Sequence, residues 1–217
     1  MKQRDIFLQS EGDAWHRRNK SSVFWDGHKT FIKNRLKGLG IEFKSALEIG
    51  CSCGALIDDI TKAFGCTGYG IDPSKEAIRH GQETFEDIQF FHGTAESLPF
   101  GDDAFDLVIF GFCLYLCDIE DLHKIAAEAD RVLQCGGILV IYDFYSAGVF
   151  RLSEYKHFEG VLTARLDWPT MFTWHPRYSL IHKETVFFKN TGDRIIEKRN
   201  VPASDLECLW IIKKGGS

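Results

Sequence analysis

From Ser45 to Phe144 the chain alternates short apolar runs with stretches of helical period, and this alternation is the strongest constraint on its fold. SALEIG is followed by ALIDDITKAF and TGYGID by SKEAIRHGQETF; IQFFHG, FDLVIFGF, IEDLHKIAAEADRVL and GILVIYDF come after them. A β-α-β-α order of this kind sets strands side by side in parallel with helices on both faces, so the expected fold class is α/β, a doubly wound, mostly parallel sheet. The clearest helix is Ile119–Leu133: Leu122, Ile125, Ala126, Ala129, Val132 and Leu133 share one face, and Gly136-Gly137 should end it. Further on, ETVFFKN and LECLWIIKK read as strands joined by the polar stretch from Thr191 to Asp205. No helical period lies between them, which predicts an antiparallel pair at the C-terminal edge of the sheet.

With 217 residues, 44% of them hydrophobic, the chain suits one domain with a substantial core. Four parts are expected: a helical cover over residues 1–44, a ligand-binding core over 45–145, an irregular, aromatic-rich insertion over 146–182, and closing strands over 183–217. The longest apolar run, Leu107–Cys117, has 11 residues, about half of the roughly 20 needed to cross a bilayer. The N-terminal residues lack the apolar core of an export signal, so a cytoplasmic chain without a membrane partner is expected. Seven cysteines without ligand spacing suggest reduced thiols and no metal site. Residues 1–44 hold 10 Lys/Arg against 5 Asp/Glu, residues 45–146 hold 5 against 18, and residues 147–217 hold 11 against 8. An acidic centre without an arginine-rich run argues against nucleic acid and for a small-molecule partner.

In open parallel sheets ligands bind at the carboxyl ends of the strands, which directs attention to the loop leaving the first one. It reads Glu48-Ile49-Gly50-Cys51-Ser52-Cys53-Gly54. Gly50 permits a tight turn, Gly54 lets a helix begin close to a ligand, and small residues between them leave backbone amides accessible. The second run ends, 22 residues after Gly50, in Asp72, where a carboxylate can accept both hydroxyls of a ribose. Together these point to an adenosine-containing cofactor. The dinucleotide pattern G-x-G-x-x-G is not met, which disfavours NAD. Gly50-Cys51-Ser52-Cys53-Gly54 is also G-x-S-x-G, the nucleophile elbow of α/β-hydrolases, although no oxyanion-loop segment precedes it.

Five segments in register, covering about residues 45 to 145, resemble the class I S-adenosylmethionine-dependent methyltransferases, especially the small-molecule group whose first motif is E-x-G-x-G-x-G. ALEIGCSCG matches that motif with Ser52 in place of the middle glycine, and GIDPS matches the second. HGTAESLPF is similar to the adenine-holding segment, DDAFDLVIFGFCLYLCD to the fourth strand and its loop, and RVLQCGGILVIYDF to the turn into the fifth, with Cys135 where proline is common. The resemblance implies a Rossmann-like fold and S-adenosylmethionine as cofactor, with S-adenosylhomocysteine as product. The implied cofactor contacts are Glu48, Gly50, Cys51, Ser52, Cys53, Gly54, Asp72, Pro73, Thr94, Ala95, Glu96, Phe110, Gly111 and Phe112.

Methyl transfer from a sulfonium rests chiefly on positioning, with a base needed only where the acceptor carries a proton. His16 and His175 are base candidates by type and Asp143 by its place at the end of the fifth strand. Trp15, Arg17, Arg18, Tyr115, Trp174, Arg177 and Tyr178 are substrate candidates. Arginines in both covers suggest an anionic acceptor, because the guanidinium fits such groups bidentately. Methylation of oxygen is the favoured reading, and the oligomeric state is open. The alternatives are a non-catalytic cofactor-binding regulator or partner subunit, and a serine hydrolase using Ser52.

Overall fold

The computed structural model describes residues 1–21, 26–148, 150–186 and 206–216, with 26–28 described by their backbone alone. The N-terminal part is a helical run, α1 (Gln3–Ile6), a π-helical turn (Phe7–Glu11) and α2 (Gly12–Asn19), followed by α3 (Asp26–Gly38). Strands and helices then alternate as β1 (Ser45–Ile49), α4 (Ala55–Phe64), β2 (Thr67–Asp72), α5 (Lys75–Thr84), β3 (Ile88–His92), β4 (Phe105–Gly111), α6 (Leu122–Val132) and β5 (Leu133–Phe144). After them come β6 (Arg151–Glu154), β7 (Leu162–Arg165), α7 (Thr170–Thr173), β8 (Tyr178–Val186) and β9 (Glu207–Lys214).

Seven strands form one sheet in the order β3-β2-β1-β4-β5-β9-β8. β1 to β5 pair in parallel, while β9 runs antiparallel to β5 and β8 antiparallel to β9. The expected Rossmann-like, doubly wound sheet with its antiparallel C-terminal pair is therefore present. The strand order reverses between β1 and β4, so the carboxyl ends of these two strands flank the crevice where ligands bind in such folds. One apolar layer, containing Leu47, Val108, Phe110, Leu139 and Trp210, packs against α6; the other, containing Ile32, Leu107, Val140, Tyr142 and Ile211, packs against α3 and α4.

Three expectations change. The helix ends at Val132, and Leu133 already pairs with Phe105 as the first residue of β5. Gly136 and Gly137 lie inside that strand, beside the register shift between Phe105 and Leu107, because a glycine at φ 83° can carry the irregularity. The 146–182 segment is not irregular: β6 and β7 form a separate antiparallel ribbon, and β8 begins inside it at Tyr178. Of the ETVFFKN strand, residues 187–190 lie outside the described residues, as does the polar stretch 191–205.

Candidate functional site

The turn after β1 is fixed by backbone conformation. Gly50 has φ 74°, Ser52 φ 50° and Gly54 φ 85°. A Cβ at Gly50 would collide with the side chain of Cys113, and one at Gly54 would lie 2.5 Å from the Phe90 ring. Ser52 thus sits where the related motif has glycine and adopts the left-handed region a glycine would take freely. Its amide donates to Asp72 Oδ2 at 2.8 Å, and the Ser74 amide donates to Oδ1 at 2.8 Å. Ser74 also caps α5, its hydroxyl accepting from the Ala77 amide at 3.0 Å. Burial pushes the Asp72 carboxyl up to about 6, although both amides favour its charged form. Glu48, buried within β1, accepts the Ile57 amide at 3.0 Å, and burial raises its carboxyl well above the usual range.

Over this turn opens a cavity of about 790 Å³. Its first half follows the strand ends: Glu48, Gly50, Cys51 and Ser52, then Asp72 and Pro73, then Thr94, Ala95 and Glu96, then Gly111 and Phe112. Cys53, Gly54 and Phe110 do not line it; Cys53 and Phe110 are core residues, and Gly54 begins α4 against Phe90. Burial holds the Cys51, Cys113 and Cys117 thiols high, so they act as small packing groups.

The rest of the cavity lining is rich in aromatic and apolar side chains, with Arg4, Asn19, Ser21, Lys29 and Glu207 as its polar members. Phe7 and Trp15 come from the cover, Ile32 from α3, Tyr115 from the loop after β4, and Phe144 from the end of β5. Tyr115 accepts a hydrogen bond from Trp15, and its ring lies edge-on to Phe144 at 4.9 Å between centroids.

Of the other candidates, His16 is buried beside the cavity, with Nδ1 3.3 Å from Ser52 Oγ and Nε2 3.2 Å from His80 Nδ1; burial and then His80 lower its pKa. Arg17 pairs with Glu76 at 2.6 Å, and Arg18 meets Glu11 and the Tyr155 hydroxyl. Neither arginine lines the cavity. Asp143 is fully buried, accepting the amides of Tyr115 at 3.3 Å and Phe144 at 2.7 Å, and burial raises it to about 7. It fastens the loop carrying Tyr115 from behind the cavity wall.

Trp174, His175, Arg177 and Tyr178 are elsewhere altogether. Tyr178 opens β8 opposite Lys214 and donates to Asp130 of α6 at 2.6 Å, while Trp174 is 77% exposed. This is the amino end of the parallel strands, away from the turn after β1. Their assignment to the substrate side is corrected on that ground. Two carboxyl-bearing features escaped the sequence reading: Asp13 of α2, which accepts from Ser74 Oγ and the Glu76 amide, and Glu207, which lines the cavity beside Tyr142.

The donor set can be tested against the implied cofactor. Three buried carboxyls, Glu48, Asp72 and Glu96, face the first half of the cavity. They suit a ligand that presents hydroxyls, amines and positive charge, as S-adenosylmethionine does, and oppose a pyrophosphate at the same turn.

Comparison with known proteins agrees. Residues 47–141 match the family described as "Methyltransferase domain". Demethylmenaquinone methyltransferase of Staphylococcus aureus is 34% identical over 124 residues, 54% of this chain and 51% of that protein. Its namesake from Staphylococcus saprophyticus is 32% identical over 142 residues, 63% of this chain and 59% of the other. The chain thus spans little more than half the length of the curated relatives it matches. Among solved structures, the 1,6-didemethyltoxoflavin-N1-methyltransferase of Burkholderia thailandensis, bound to its substrate and S-adenosylhomocysteine, superposes with TM-score 0.68 at 16% identity over 99% of this chain and 87% of that one. A SAM-dependent methyltransferase of Methanosarcina mazei gives 0.64 at 18% identity, covering 81% and 94%. No helix among the described residues is long and apolar enough to cross a membrane. Residues 47–141 thus match a methyltransferase domain, and strand order and superposition show the fold shared with S-adenosylmethionine-dependent methyltransferases of known structure.

Proposed function

We propose that this protein transfers the methyl group of S-adenosylmethionine to an oxygen of a small, ring-bearing and largely apolar acceptor. The observation that carries the reading is one cavity with two chemistries: an acidic half along the strand ends and a half rich in aromatic side chains, Phe7, Trp15, Tyr115 and Phe144. The acidic half suits the cofactor, Asp72 accepting its ribose hydroxyls. The aromatic half suits a flat ring, which stacks and excludes water. Arg17, Arg18 and Arg177 give no support to an anionic acceptor, since the first two are paired within the protein and the third lies at the far end of the sheet, so the cations lining the cavity are Arg4, which meets Asp121, and Lys29. The staphylococcal relatives are named for a quinone, which is a ring of the favoured kind.

The division into cover, core, ribbon-bearing insertion and closing strands is read as one functional domain, and a cytoplasmic place and a small-molecule partner without nucleic acid remain part of the proposal. Calorimetric titration tests the cofactor half. S-adenosylhomocysteine should bind one to one and NAD should not; absence of S-adenosylhomocysteine binding defeats the reading. Methyl transfer to ring hydroxyls in a radiolabel assay then separates an enzyme from a non-catalytic binder.

A second reading has one observation in its favour. Ser52 combines a positive φ with His16 at 3.3 Å, two features of a hydrolase elbow. Against it, the other nitrogen of His16 faces His80, so no carboxylate orients the ring in the way a triad requires. Labelling of Ser52 by a fluorophosphonate would favour this reading, and none is expected.

A further inference from the structure

Methylating a hydroxyl requires a place for its proton, and one wall of the cavity carries a group suited to take it. Glu207 opens β9 opposite Phe144, the first residue of an otherwise apolar stretch. The Tyr142 hydroxyl donates to its Oε2 at 2.7 Å. Both residues line the cavity although Tyr142 is fully buried and Glu207 only 9% exposed. They are also tied to the turn after β1. Gly111 lies against Glu48, and the next residue, Phe112, gives its amide to the Tyr142 carbonyl at 2.8 Å. The rings of Phe112 and Tyr142 meet edge-on at 4.8 Å. Glu207 therefore stands two contacts from the cofactor half, at the aromatic half where the acceptor would lie.

The groups named around the carboxyl come from three strands. Tyr142 of β5 donates to it and Arg165 of β7 favours its charge, whereas Asp143 of β5 adds negative charge and Glu184 of β8 faces Tyr142 with more. Burial outweighs the favourable pair and raises Glu207 to about 7, where a carboxylate both accepts and releases a proton.

We propose that Glu207 is the proton acceptor of the reaction and Tyr142 its positioning residue, so that the acceptor belongs to the class of ring hydroxyls, phenols or hydroquinones. The inference rests on the methyl-transfer reading above. In the step, the hydroxyl proton passes to Glu207 as an oxygen lone pair forms the new C–O bond. The C–S bond breaks with its electron pair left on sulfur, which becomes a neutral thioether.

The test compares 2-naphthol with 2-methoxynaphthalene, rings that differ in having or lacking the hydroxyl proton, by calorimetry on full-length protein saturated with S-adenosylhomocysteine. At pH 8 the wild type should hold 2-naphthol about tenfold more tightly than its methyl ether, the worth of one hydrogen bond to a charged group. Glu207→Gln should hold the two alike while S-adenosylhomocysteine affinity, unchanged, shows that the variant folds. The wild-type preference should fade as pH drops through the Glu207 titration. In Tyr142→Phe, loss of the donor to the carboxylate should move that midpoint upward, a shift that mere loss of packing would not produce. Equal affinity for the two rings in the wild type, binding of neither, or a preference that survives Glu207→Gln overturns the assignment. Failure of S-adenosylhomocysteine to bind the wild type is a different result, because it removes the methyl-transfer reading itself.

Discussion

Asp72 receives two backbone amides, from Ser52 and Ser74, and still titrates near 6 because it is buried. Ligand hydroxyls donate best to its ionised form, so S-adenosylhomocysteine affinity should rise from pH 5 to pH 7. Asp72→Asn should flatten that rise and weaken binding by roughly ten- to a hundredfold, the range for hydrogen bonds to a charged group, as read by calorimetry at each pH. Asp143 gives a stability prediction of definite sign. Its carboxyl, raised to about 7 in the folded protein, is ordinary when unfolded, so the native state binds the extra proton between those values. The stabilisation is complete below the unfolded value and is lost as pH climbs through about 7, with an upper bound on the order of 4 kcal/mol. The advantage in melting temperature of wild type over Asp143→Asn should therefore shrink between pH 5 and pH 8. At this scale the sequence disclosed what backbone geometry dictates: Gly50, Gly54 and Asp72 stand where their motif required. It could not disclose that Arg17 and Arg18 meet Glu76 and Tyr155, partners 59 and 137 positions away. Glu207 carried the same signal as Glu48, an acid in an apolar strand, and was passed over because no motif surrounds it.

Among the elements, β9 shows how a strand is anchored by its last residue. Lys214 is 4% exposed; its ammonium donates to the carbonyls of Asp130 at 2.7 Å and Leu133 at 2.6 Å, and lies 3.2 Å from the Asp130 carboxylate. It thereby neutralises the carbonyl end of α6 and welds that helix to the closing strand. Lys214→Met should leave Asp130 and two carbonyls short of a donor and cost roughly 2–3 kcal/mol in urea unfolding at neutral pH. A change below about 0.5 kcal/mol, typical of a surface site, would show that the anchor is dispensable. Period and apolarity made the five parallel strands and α4 to α6 legible. They failed where a strand carries little apolar signal: all of β6 is exposed, and it pairs with β7 across the connection 155–161. They also failed at Leu133, whose apolar side chain served equally well as the last residue of a helix face or the first of a strand.

For the whole molecule, the N-terminal helices contribute to the cavity lining and are held on two flanks. Gly12 lies under the start of α5: an added Cβ would sit 2.7 Å from the Phe7 carbonyl oxygen and 3.2 Å from the Ser74 amide nitrogen. Asp13 accepts from Ser74 Oγ at 2.7 Å, while on the other flank the Gln3 side chain exchanges hydrogen bonds with the backbone of Leu162 and donates to the Leu116 carbonyl. Tyr155 joins Glu11 and Arg18. Gly12→Val should unseat the cover without melting the sheet. S-adenosylhomocysteine should then dissociate about tenfold faster in stopped-flow, equivalent to 1.4 kcal/mol, with the circular dichroism of the core unchanged. The helical character of residues 3–19 and 26–38 was legible from composition; the stitching of the first of these to the 150–165 ribbon was not, because neither segment announces the other. On the methyl-transfer reading proposed above, that stitching sets how fast spent cofactor would be released. Gly12 and Trp15 stand over the same cavity as Asp72 and Pro73, so spent cofactor leaves no sooner than contacts on two flanks let go. On that reading, turnover would keep the time of a latch rather than of the chemistry beneath it, and the expected outcome is a rate that falls in a viscous solvent.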